Sequence, residues 1–238
     1  MNYPINIYRS PKTLSLFAIA AIALVGVCEM VAGLIGFAQI LDPKRVFNLG
    51  DTGSSSLWII LQGLVALVQF PVYILSIVLF LVWLFRTYKN LPALRSDSTE
   101  FTPGWAVGWW FIPFANLVKP FQAVRSVWAE SDPDFDPGTG FLTSIQPGAP
   151  GFMSAWWAFW ILSNIAANIT SKVFDPDKAG VVEFSGYFFI LTGILTVIAA
   201  LLAIKVIYEI TSRQDARFRV VGSIPLSQPP PPPMFGQH

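Results

Sequence analysis

Apolar residues run along this chain in long blocks separated by short polar stretches. A membrane-crossing helix needs about 20 mostly apolar residues. Residues 13–40, 57–85 and 181–210 reach that length with ease. Pro71 falls near the middle of the second block, where a kink is tolerable because neighbouring groups in a bundle re-satisfy the freed backbone. A fourth block, 151–170, is shorter and carries Ser163, Asn164 and Asn168, but it meets no charge until Lys172. The pattern predicts an all-α membrane protein with four transmembrane helices.

Between the second and fourth blocks lies GWAVGWWFIPFANLVKPF, Gly104–Phe121. Its uncharged run, Trp105 to Val118, is interrupted by Pro113. At 1.5 Å per residue the run is about 21 Å long, short of a hydrocarbon core of about 30 Å. It is therefore expected to enter the interface as a wedge and not to cross. Trp105, Trp109 and Trp110 suit the headgroup level. Pro113 fits the first turn of a new helix, where its missing N–H would be unpaired anyway. From there Phe114, Leu117, Val118, Phe121, Val124 and Trp128 recur at steps of three and four, with Lys119, Gln122, Arg125 and Glu130 elsewhere. That spacing predicts an amphipathic helix on a surface, bent or restarted at Pro120. Gly104 and Gly108 form a small face for a neighbouring backbone. Wedge and surface helix together occupy 104–130.

Charge sets the expected orientation. With four spans and both termini inside, the inner segments hold Arg9, Lys12, Arg86, Lys89, Arg95, Lys119, Arg125, Arg213, Arg217 and Arg219. Lys205 is near enough to the inner end to snorkel. The outer loops hold only Lys44, Arg45, Lys172 and Lys178. This is the positive-inside bias, and it predicts a multi-pass plasma-membrane protein with cytoplasmic termini. Residues 1–12 form the cytosolic N-terminal segment. The apolar run after Arg9 and Lys12 is too long for a signal peptide and continues to Ile40, so a retained helix is expected. Residues 220–238, with QPPPPPMFGQH, read as a disordered Pro-rich cytosolic tail. It serves as a spacer or as a ligand for an aromatic groove.

Composition agrees with the membrane class. Charged residues make up 12% of the chain, against about 25% in soluble domains. A net charge of +1 gives no reason to expect nucleic acid. The single cysteine, Cys28, lies in an apolar run and reads as packing.

Residues that usually carry catalysis are scarce. The one histidine is His238, at the end of the tail. Metal, haem and Ser-His-Asp sites therefore lack their residues, and no enzyme activity, metal or cofactor is expected. GDTGSSS lacks the Lys-Ser/Thr ending of a phosphate loop. Asp132, Asp134 and Asp136 alternate as in a calcium loop, but Pro133 and Pro137 intrude and Thr143 stands where the glutamate belongs.

Glu29 is the one acid deep in a span. At 1.5 Å per residue, Glu29, Gln69 and Thr196 fall about 18–20 Å from the outer ends of their spans, and Asn164 and Asn168 bracket that depth on the fourth. Ionisable groups in membranes usually face partners or a cavity. The five residues read either as a polar chamber for a proton, ion or small ligand, or as a hydrogen-bonded cluster that fixes helix register.

The motifs FLVWLFRTYKNLPAL, TPGWAVGWWFIPFANLVKPF, VWAESDPD, WWAFWILSN and EITSRQDARF follow one another in this order. Together they resemble the bacterial membrane family called domain of unknown function family 4328, over roughly residues 14–219. The first holds Trp83, Arg86 and Asn90 at the spacing Trp-x-x-Arg-x-x-x-Asn. The second holds Trp105, Gly108, Trp109, Trp110, Pro113, Asn116 and Pro120. These ten residues form a candidate docking motif. The resemblance implies a multi-span helical domain and supplies no activity, substrate or catalytic residue. The expected role is a structural or interaction module whose partners are the lipid bilayer and a protein at the cytosolic face or the proline-rich tail. The alternative is a small transporter or channel-like module built on the Glu29 cluster.

Overall fold

The computed structural model describes residues 7–41, 54–96, 101–134, 149–173 and 182–223. Among them the chain is helical throughout, with no strand. The long helices are α1 (Lys12–Leu41), α2 (Ser54–Asn90), α5 (Gly151–Val173) and α6 (Val182–Ser223). Two shorter helices, α3 (Pro103–Gly108) and α4 (Lys119–Glu130), lie between α2 and α5. Lys44, Arg45, Lys178, Asp136 and the proline-rich tail beyond Ser223 lie outside the described residues.

Three helices, α1, α2 and α6, are long and apolar enough to cross a membrane. The 23 residues of α5 would span about 35 Å at 1.5 Å each. Its length suffices, but Trp156, Trp157, Trp160, Asn164 and Asn168 lower its hydropathy below that of the other three.

Two helices outrun their apolar blocks. α2 continues to Asn90 because Thr87, Tyr88 and Asn90 are buried at its end. A 3-10 turn, Leu91–Leu94, follows, and Arg95 closes it at φ 55° with its N–H on the carbonyls of Leu91 and Pro92. α6 does not stop near Ile210. No proline interrupts it, and Ile207, Ile210, Thr211, Gln214 and Arg217 keep one face buried. Residues 220–223, assigned above to the tail, belong to this helix.

The bundle is an open row. α1 packs against α2 on one side and α6 on the other, and α5 packs against α6. α2 and α5, at the two ends of the row, share no extensive backbone contact. The wedge joins them at one end of the molecule. Trp110 makes edge contacts with Phe80 of α2 (5.3 Å between centroids) and with Trp157 and Trp160 of α5 (5.9 and 5.7 Å). Trp157 also donates through Nε1 to the Leu117 carbonyl at 2.9 Å. The buried cluster gathers at this wedge end, around Phe80, Trp83, Tyr88, Val124, Trp156 and Ile207.

The wedge differs in detail from its sequence reading. Thr102 caps α3, accepting from the Trp105 N–H. Two 3-10 turns follow, Trp109–Phe111 and Ala115–Leu117, and no helix starts at Pro113. Phe114 is instead 86% exposed at φ 64°. The physical reason is Pro120. A helix begun at Pro113 would carry Pro120 in its interior, where the ring meets the carbonyl four residues back and the preceding residue resists the helical conformation. The helix therefore starts at Lys119, with Pro120 in its first turn. Its buried face is Pro120, Ala123, Val124 and Val127. The expected face is thus displaced: Phe114, Leu117 and Val118 are exposed and precede the helix. Glu130, read as a surface group, is buried and accepts from Ser96 at 2.8 Å and Ser126 at 2.7 Å.

Candidate functional site

The four long helices line a partly open cavity of about 650 Å³. Its floor is the wedge, where Trp110, Phe111 and Asn116 meet Phe80 and Trp156. Along α2 the lining runs from Ala66 to Leu81, on α5 from Trp156 to Ala167, and on α6 from Thr192 to Ala203. The eleven steps from Thr192 to Ala203 on α6 correspond to about 16 Å, and the fifteen from Ala66 to Leu81 on α2 to about 22 Å along the bundle. Its room comes from small residues. Ala66, Ala167, Ala199, Ala200 and Ala203 all line it.

Glu29 of α1 and Gln69 of α2 face each other at the end far from the wedge. Gln69 Nε2 donates to Glu29 Oε1 at 2.6 Å. Both line the cavity, as do Asn164 of α5 and Thr196 of α6. Those two bond locally: Asn164 Nδ2 donates to the Trp160 carbonyl at 2.7 Å, and Thr196 Oγ1 to the Thr192 carbonyl at 2.9 Å. Asn168 is exposed, donates to the Asn164 carbonyl at 2.8 Å and is not among the lining residues. Four of the five expected residues thus share one cavity, but only one direct pair forms between them. Tyr73, Ser76 and Thr192 also line it and were not singled out from sequence, and Ser163, noted there only as a polar residue of the fourth block, lines it too. Ser76 and Tyr73 stand seven and four residues after Gln69, a helical spacing that could have found them.

The candidate docking residues separate into distinct surroundings. Trp83 is fully buried and donates through Nε1 to Thr211 Oγ1 at 3.0 Å. Asn90 is buried, with Nδ2 on the Arg9 carbonyl at 2.9 Å and on Gln214 Oε1 at 3.1 Å, and Oδ1 accepting from the Arg9 N–H at 3.3 Å. Arg86 is half-buried. Trp105 and Trp109 lie tilted together at 4.8 Å, and Lys119 Nζ is 5.9 Å from the Trp109 ring. Trp110 and Asn116 belong to the cavity floor, Pro120 is buried and Pro113 is exposed. Gly108 does not receive a neighbouring backbone. A Cβ there would meet only the Trp105 ring, at 3.5 Å, and one at Gly104 would meet nothing within 4 Å. The small-face reading of these two glycines is overturned, because the wedge packs through its tryptophans.

A polar lock ties the wedge end together. Gln214 Nε2 donates to the Thr87 carbonyl at 2.9 Å and Arg217 Nε to the Leu94 carbonyl at 2.9 Å. Arg213 pairs with Asp132 at 2.5 Å and stacks over Trp128 at 4.0 Å. Tyr8 donates to Asp215 at 2.6 Å, while Lys12 approaches the same carboxylate at 3.2 Å. Burial, and then the Asp215 carboxylate, push the Tyr8 hydroxyl's pKa well above its ordinary value. These partners lay in EITSRQDARF, where Gln214 and Arg217 are three apart and so share a helix face.

No curated protein and no solved structure matches the chain. A family described as a domain of unknown function, DUF4328, matches residues 51–212. The match takes in α2, the wedge, α4, α5 and the part of α6 that lines the cavity. It is narrower at both ends than the motifs suggested and leaves out α1 with Glu29. Covering well over half of the 238 residues, it makes this chain a member of the DUF4328 family.

Proposed function

We propose that the chain is a four-span plasma-membrane protein that binds a small molecule within the bilayer, and that it performs no catalysis. In this reading α5 crosses with α1, α2 and α6, both termini are cytoplasmic, and the wedge rests in the inner interface. The observation that carries it is the cavity of about 650 Å³ with Glu29 and Gln69 paired on its wall. Ligand sites commonly measure about 300–1,000 Å³ and combine apolar walls with a few convergent polar groups. The exposed Trp105, Phe111 and Phe114 suit contact with lipid headgroups.

The test uses Nile red, a neutral hydrophobic probe, with the full chain in lipid nanodiscs. Ala66 and Ala167 are exposed residues that line the cavity from opposite walls. Saturable binding by wild type, lost in both Ala66→Phe and Ala167→Phe, is expected. Binding that survives both substitutions counts against the site. Topology is checked by cysteine labelling in a Cys28→Ser background. Thr102→Cys and Asp134→Cys flank the wedge and should label from the same, cytoplasmic side; labelling from opposite sides would mean that the wedge crosses.

A second reading, docking of another protein at the inner face, is favoured by one observation. Phe114 combines 86% exposure with φ 64°, and non-glycine strain of this kind collects at functional sites. Crosslinking through a photoreactive residue at position 114 tests it. A specific protein adduct supports docking, and lipid adducts alone argue against it.

A further inference from the structure

Resting on the small-molecule reading above, we propose that the cavity's ligand is a hydrophobic organic cation that enters sideways from the lipid, between α2 and α5. The chemistry of the wall points to charge sign. Among the described residues that line the cavity, Glu29 is the one carboxylate, and none is lysine, arginine or histidine. An anion would find no opposite charge there.

The hydroxyls strengthen that bias. Ser76, Ser163 and Thr196 each have a single hydrogen to give. Each donates it to its own helix: Ser76 to the Tyr73 carbonyl at 2.7 Å, Ser163 to the Trp160 carbonyl at 2.8 Å, Thr196 to the Thr192 carbonyl at 2.9 Å. What each has left is a pair of acceptor sites. Gln69 gives one of its two amide hydrogens to Glu29 Oε1, and Trp110 Nε1 is a donor without a partner among the described residues, at the wedge end, away from Glu29. The three hydroxyls therefore offer lone pairs to the cavity, beside a carboxyl group. The rest is aromatic: Phe70, Tyr73, Phe80, Trp110 and Trp160 line the same space. Ring faces attract cations through their quadrupoles, most strongly away from water.

The way in is also on the page. α2 and α5 share no extensive backbone contact, and among the described residues their rings meet only at the wedge end, Phe80 against Trp156 at 6.1 Å between centroids. On the α2 side the lining residues Phe70, Tyr73 and Ile77 are exposed. Trp110 and its neighbours close the wedge end. A ligand dissolved in the hydrocarbon reaches the carboxyl group from that side, between α2 and α5. Such a ligand is hydrophobic, carries one positive charge and fits about 650 Å³.

Two ions of nearly equal size and shape separate charge from hydrophobicity: tetraphenylphosphonium and tetraphenylborate. Each is titrated into the full chain in nanodiscs of zwitterionic lipid, with empty nanodiscs subtracted, and displacement of bound Nile red is followed. Tetraphenylphosphonium should displace the dye saturably and tetraphenylborate should not. Glu29→Gln should keep its bond to Gln69 and its thermal midpoint, yet bind tetraphenylphosphonium at least about tenfold more weakly, as expected when one member of a charge pair is removed. Equal displacement by the two ions, or unchanged cation affinity in Glu29→Gln, overturns the inference. If the dye binds and Ala66→Phe and Ala167→Phe abolish it while the ions are not distinguished, the cavity reading stands and the cation falls. If no probe binds saturably, both fall.

Discussion

At the wedge end, large rings and interhelical hydrogen bonds such as those of Gln214 and Arg217 fill the space between the helices, although the Trp109 and Trp110 indole N–H groups are buried without a partner among the described residues. Further along, the same helices border an open cavity. The difference is written in residue size. Trp83, Trp110, Trp156 and Trp157 come together at one end, while Ala66, Ala167, Ala199 and Ala200 line the other. Inside lipid, apolar contact alone does not drive helices together, so association depends on close packing and on interhelical hydrogen bonds. The wedge end has both. The cavity region has one such bond between helices among its described polar pairs, Gln69 to Glu29. Stability should therefore be concentrated at the wedge end, and substitutions around the cavity should alter binding more than folding.

The sharpest way to break this contrast is Trp83→Ala. Trp83 is fully buried, and replacing a buried tryptophan by alanine costs about 3–5 kcal/mol. Thermal unfolding in detergent should show the largest loss of all the variants named here. A midpoint close to wild type would mean that the wedge end does not carry the fold.

Gln214→Leu should follow. It removes the Gln214 bonds to the Thr87 carbonyl and to the Asn90 amide, which keeps only Arg9, at about 1–3 kcal/mol for buried groups that lose a partner. Asn90→Leu should act in the same direction, and a double-mutant cycle between positions 90 and 214 should reveal coupling. Purely additive losses would dissolve the idea of a lock.

Glu29 offers the matching test in the cavity. Glu29→Gln should leave stability nearly unchanged. Glu29→Leu, which deprives Gln69 of its acceptor, should cost less than Gln214→Leu because both Glu29 and Gln69 are only half-buried. A larger loss for Glu29→Leu would reverse the comparison.

The smallest effect expected is alkaline. With Tyr8 raised in the folded chain, its contribution is whole below the unfolded tyrosine value of about 10 and declines as pH rises above it. Wild type should lose stability above that pH more steeply than Tyr8→Phe. Parallel profiles would remove Tyr8 from the lock.

The long helices were legible because a run of twenty apolar residues has few alternatives in any solvent. Where α6 ends was not, because its last turns are held by Gln214 and Arg217 and not by apolar residues. The shape of the wedge was also hidden. Both Pro113 and Pro120 permit a helix start, and only the second leaves the following helix unbroken. Counting residues placed Glu29, Gln69 and Thr196 at one depth, with Asn164 and Asn168 bracketing it, and four of these five line the same cavity. Counting gives depth and not direction, so it could not tell that Asn164 and Thr196 would bond within their own helices. Nor could it separate Trp83 and Asn90, which are consumed inside the fold, from Trp105, which is exposed.

The length of α6 has a mechanical consequence. One uninterrupted helix of 42 residues carries both Thr196 on the cavity wall and Gln214 in the lock. These two positions are five turns apart, about 27 Å along a single rod. A ligand that tilts the cavity half of this rod swings its other arm as well, drawing on the bonds to Thr87 and Leu94. Occupancy within the bilayer would then be felt at Tyr8 and Asp215 as a lever movement, with no relay of side chains between the two.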